Sequence, residues 1–180
     1  MIIINQKSNY PLYFTVPIFV IIASIFYDSL VKGNYFANWI STIDTAIHEW
    51  WHMLFILLWN QFITVAWWTF LQLLVPVLIL FSFVKQKDYF WVSVVFAWLG
   101  INLFSVSQYI WDAIAWKLPL LQFFWDWYNY IHDWSYMLNK TGLIYKTELI
   151  STIVYILAIM FFILFFVYSL ILMVNRYLDR

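Results

Sequence analysis

The run "LISTIVYILAIMFFILFFVYSLILMV", residues 149–174, contains no charged side chain and stops at the polar "NRYLDR". As a helix rising ~1.5 Å per residue it is long enough to cross the ~30 Å hydrocarbon layer of a bilayer. Its even apolarity is the pattern of a span that faces lipid. The composition extends that reading to the whole chain: 66% of the 180 residues are hydrophobic, 10% are charged, and the mean hydropathy is +0.82. A water-soluble surface does not tolerate so little polarity, so the expected class is an all-α integral membrane protein. The 9 Lys and Arg balance the 9 Asp and Glu and are scattered, which leaves no footprint for nucleic acid. There are no cysteines, so disulfides, thiolate metal sites and a cysteine nucleophile are excluded, and His and carboxylates are the only good metal ligands.

Further apolar windows precede this one. The first covers about Leu12 to Leu30, and its "ASIFYDS" lacks the small-x-small pattern of a cleaved signal, so it is expected to stay. A second, short for a span, follows the cap-capable "STID" at 41–44 and ends near "WNQ" at 59–61. The third, "FITVAWWTFLQLLVPVLILFSFV" (62–84), contains Gln72 and Pro76, and a re-entrant, irregular stretch is expected near 60–68. After "KQKD" (85–88) a fourth window spans about Tyr89 to Trp116. Its Asn102, Ser105, Tyr109 and Asp112 recur at helical spacing and so share one face, turned away from lipid. The Trp- and Tyr-rich segment 120–142 reads as an amphipathic helix at the headgroup level, closed by Gly142. The expectation is four to five spans in a single domain over 1–180, with no internal repeat. Lys and Arg in alternate connections divide 4 (Lys7, Lys117, Lys140, Lys146) against 5 (Lys32, Lys85, Lys87, Arg176, Arg180), a split too even to set an orientation.

The second window carries the chemistry. In "IDTAIHEWWHMLF" (43–55), His48 and His52 lie one helical turn apart and can share one zinc ion. Glu49 lies beside them, placed to take a proton from an attacking water. At this composition chance gives such a pattern on the order of 5 times in 10,000. A blander reading has both histidines buried and satisfied by carbonyls. Ionisable groups cost ~2.5–3.5 kcal/mol at the centre of a span, which favours a function for them. A zinc site needs a further protein ligand. The chain has one other histidine, His132, which is the first choice; Asp112 and Asp133 compete for the place, or orient the site from behind the ligands. Asp44 suits a helix cap, and Gln72 and Asn102 are candidates for lining a cavity.

"HEWWH" in an apolar span resembles the motif of intramembrane zinc metalloproteases of the site-2 protease type, whose known members cut peptide bonds in or near the bilayer. The succession "HEWWH", "LQLLVP" (71–76), "NLFSVSQYIWDA" (102–113) and "HDWSYMLNKTGL" (132–143) is similar to a group of small prokaryotic membrane proteins, a likeness that covers about 43–143. The resemblance implies a zinc cofactor, a membrane-embedded peptide substrate and a prokaryotic cytoplasmic membrane. It carries over to His48, Glu49 and His52; the "LDG" acid of site-2 proteases has no counterpart, and Trp51 stands where a glycine is usual. The metal-site core is therefore expected within about 41–143. The other readings are a zinc-dependent lipid amidase, or a non-enzymatic membrane subunit with a structural metal site, alone or with a protein partner.

Overall fold

The computed structural model describes residues 9–32, 61–118 and 132–179. Among them there is no strand, and four helices are long and apolar enough to cross a membrane. They are α1 (Leu12–Lys32), α2 (Gln61–Lys85), α3 (Tyr89–Ala115) and α5 (Thr147–Leu178); a short helix, α4 (Asp133–Lys140), and a 3-10 turn (Ile144–Lys146) precede the last. The second apolar window and residues 119–131 lie outside the described residues.

The re-entrant stretch expected near 60–68 is corrected by the structure: from Gln61 onward the chain is α-helical, and α2 runs unbroken through Pro76 to Lys85. Helical backbone satisfies its own polar groups, which Gln72 and one proline do not overcome. The helix ends in a tight turn. Lys87 takes a left-handed conformation (φ 56), Asp88 N–H returns to the Phe83 carbonyl at 3.0 Å and Lys87 N–H to that of Val84 at 3.1 Å. Asp88 then caps α3, accepting from Trp91 N–H at 3.5 Å while its other oxygen accepts from the Tyr10 hydroxyl at 2.8 Å. That hydrogen bond raises the Tyr10 pKa, with burial adding to it. So short a connection makes α2 and α3 antiparallel neighbours.

α3 is the central span: 72% of its most apolar window is buried inside the protein, against 12–33% in the other three. Its closest partner is α5, and the pairing rests on small residues spaced by seven. Ser93, Gly100 and Ser107 of α3 meet Ser169, Ala158 with Phe162, and Ser151 of α5. Ser107 and Ser151 bond reciprocally, each hydroxyl donating to the other's carbonyl, at 3.1 and 2.9 Å. At Gly100 a Cβ would sit 3.0 Å from two Phe162 ring carbons, so glycine is what lets the helices come this close. α1 lies across the pair through Phe19 on Phe165 and Phe26 on Phe162, ring centroids 5.5 and 4.2 Å apart.

The last window is therefore not a plain lipid-facing span, as its sequence suggests. Thr147, Ser151, Ala158, Phe162, Phe165, Ser169 and Leu172 are buried along one stripe, while Ile156, Ile163, Val167 and Leu170 on other faces are exposed. In a bilayer, apolar side chains outside the interface have lipid as their solvent.

The amphipathic helix expected over 120–142 is also revised. Among the described residues of that segment helix begins only at Asp133, because His132 has extended backbone (φ −79, ψ 110) and caps it. Its end is as expected. Gly142 is left-handed (φ 69), its N–H reaching the Asn139 carbonyl at 3.1 Å and Leu143 N–H that of Leu138 at 2.7 Å. α4 packs on α2 and α3, with Leu138 against Val106, Ile110 and Ala113.

Candidate functional site

The end of α3 is built around Asp112, three residues before the helix stops. Trp116 turns left-handed (φ 50, ψ 43) and returns its N–H to the Asp112 carbonyl at 2.9 Å. The chain then folds back over the carboxylate: Lys117 N–H donates to Oδ1 at 2.7 Å and Leu118 N–H to Oδ2 at 3.0 Å. Asp112 is 2% exposed. Its contact with Lys117 is to the backbone N–H. Two backbone donors of this kind hold a carboxylate in place and leave about half of its acceptor positions open.

His132 meets Asp112 from the start of α4. Its Nε2 is 3.5 Å from Asp112 Oδ2, too long for a good hydrogen bond, and both side chains are buried. Its Nδ1 accepts from Ser135 N–H at 3.3 Å, the third residue of α4, so the imidazole occupies the capping role usual for Ser or Asp. The ring stacks on Tyr109 (centroids 4.3 Å, planes 29° apart), and Trp116 lies 5.5 Å from it with planes tilted by 45°. Burial lowers the His132 pKa against the opposing pull of Asp112 and Asp133. Asp133 is itself buried, and its backbone N–H donates to the Tyr109 hydroxyl at 3.4 Å. Among the described residues, buried His132 Nε2 and the Trp134 indole nitrogen at this corner have no hydrogen-bond partner.

The structure thus brings Asp112, His132 and Asp133 together. His48, Glu49 and His52 lie outside the described residues. Gln72 and Asn102 meet each other: Gln72 Nε2 donates to Asn102 Oδ1 at 3.0 Å and Asn102 Nδ2 to the Gln72 carbonyl at 3.5 Å, an amide clasp between α2 and α3. Tyr109 and Trp116 were not singled out as neighbours of the histidine, although Tyr109 lies on the polar stripe.

Among the described residues no set of three His, Asp or Glu is placed to hold a metal ion. Asp112 by its chemistry suits one ligand position, having a fixed, buried carboxylate with acceptor capacity to spare. His132 in its present orientation fits less well, because Nδ1 already receives a backbone proton. Comparison of the chain with protein-family models, curated proteins and solved structures finds no match.

Proposed function

We propose that this chain is a zinc-dependent hydrolase of a prokaryotic cytoplasmic membrane that cleaves peptide bonds within or near the bilayer. The observation that carries the reading is the pattern of His48, Glu49 and His52 inside an apolar run, in a chain with only one other histidine. The fold adds support. That third histidine meets a buried acid where α3 ends, and the antiparallel pairing of α2 with α3 puts the start of α2 at the same end of the bundle. His52 precedes Gln61 by nine residues, which span at most ~30 Å when fully extended.

In this mechanism His48 and His52 would hold the zinc, with a third group from the Asp112, His132 and Asp133 corner. Bound zinc supplies Lewis acidity, polarising a carbonyl and easing deprotonation of water near neutral pH. Glu49 takes the proton of the attacking water and delivers it to the leaving amine. A membrane-embedded peptide has to unwind locally before its amide can be attacked, since helical backbone hides it.

Reconstituted protein incubated with single-span peptides tests this directly, read on gels beside a lipid-release assay. Wild type should cut peptide, and Glu49→Gln should be slower by on the order of 10²-fold or more, the usual worth of a general base. Release of fatty acid from amide-linked lipid without peptide cleavage would replace the proposal with an amidase. A second reading, a non-enzymatic subunit with a structural metal site, is favoured by the fact that Asp112 and His132 each already serve the backbone. Full metal content with neither activity would support it.

A further inference from the structure

We infer that His132 is a positioning residue and not a metal ligand: it joins the start of α4 to the end of α3 and steadies the Asp112 carboxylate. The metal half of this inference rests on the zinc reading above, whereas the ring's own state does not.

A histidine that binds a metal through one ring nitrogen carries a proton on the other and donates it to an acceptor. Nδ1 of His132 faces the Ser135 N–H at 3.3 Å, itself a donor. Two N–H groups pointed at each other are repulsive, so Nδ1 keeps its lone pair and the proton of the neutral ring sits on Nε2. A protonated Nε2 has no lone pair for a metal. Asp112 Oδ2 lies 3.5 Å from it, an acceptor for that proton just outside good hydrogen-bond range.

The surroundings hold the ring to this choice. A 180° ring flip would set carbon against the Ser135 N–H and leave that donor unpaired inside the protein. Tyr109 stacks on the ring at 4.3 Å, and Trp116 packs near it at 5.5 Å, tilted by 45°. Asp112 differs in kind: after its bonds from Lys117 and Leu118 it still has acceptor capacity on both oxygens. If the corner supplies a ligand, Asp112 is the group chemically able to do so.

Two readouts on the full chain in nanodiscs decide it. Long-range ¹H–¹⁵N correlation of histidine-labelled protein, with the His132 signals identified by their loss in His132→Asn, should show a protonated Nε2 and an unprotonated Nδ1, with and without added zinc. Zinc content should then separate the pair. His132→Asn retains a strong helix cap, so it should keep one zinc per chain with affinity weakened about 10- to 100-fold, the usual effect of removing a group that orients a ligand. Asp112→Asn should lose it. A proton on Nδ1, or loss of zinc from His132→Asn as complete as from His48→Ala, overturns the inference. If wild type holds no zinc, the zinc reading falls while the tautomer still decides the role of His132.

Discussion

Two regions of α3 solve the same problem in opposite ways. Along the seam with α5, polar groups are few and small and bond to one another: Ser107 with Ser151, Ser93 with Ser169. At the corner with α4, a carboxylate and an imidazole are buried, tied to backbone N–H groups, and left 3.5 Å apart, with the Nε2 and the Trp134 indole nitrogen unbonded among the described residues. Each such unbonded buried group costs ~1–3 kcal/mol. The seam has what helix pairing in lipid requires and nothing more. The corner has more than pairing requires, and the excess marks it as the place to look for chemistry.

The comparison breaks most visibly at Phe162, which is fully buried at the crossing of α1, α3 and α5. Phe162→Ala should destabilise the bundle by roughly 2–3 kcal/mol, measured by unfolding in mixed detergent. That is below the ~3–5 kcal/mol of a water-soluble core, because lipid is as apolar as the interior and only lost packing counts. No change would mean that α5 does not depend on this seam. A smaller effect sharpens the contrast: Ser151→Ala removes one of two reciprocal bonds and should cost ~0.6 kcal/mol by the same measurement. On the zinc proposal both variants should bind as much zinc as wild type, since neither residue belongs to the Asp112 corner.

How much of this the sequence revealed depends on whether polarity alternates. The first window and α1 agree to within two residues, and Gly142 ends its helix as expected, because local backbone chemistry decides both. The stripe of Asn102, Ser105, Tyr109 and Asp112 does turn inward, with Asn102, Ser105 and Asp112 buried. On α5 the interface was hidden because every side is apolar, so periodicity has nothing to register. The small residues Ser151, Ala158 and Ser169 were the only signal, matched by Ser93, Gly100 and Ser107 on α3. At His132 the deciding event is a change of backbone from extended to helical. Asp133 in the first turn was the available hint, since acids are favoured at helix N-termini. That Asp112 and His132 share one site was expected from the small inventory of ligands and not from local pattern, because they are twenty positions apart and packing of α4 on α3 brings them together.

The most direct measurement is metal content, by elemental analysis, of protein purified from zinc-supplied cells as wild type, Glu49→Gln, His48→Ala and His52→Ala. About one zinc per chain is expected in wild type and in Glu49→Gln, whose side chain acts on water, and little in either histidine variant. Wild type free of metal, or full metal in His48→Ala or His52→Ala, would contradict the zinc hydrolase.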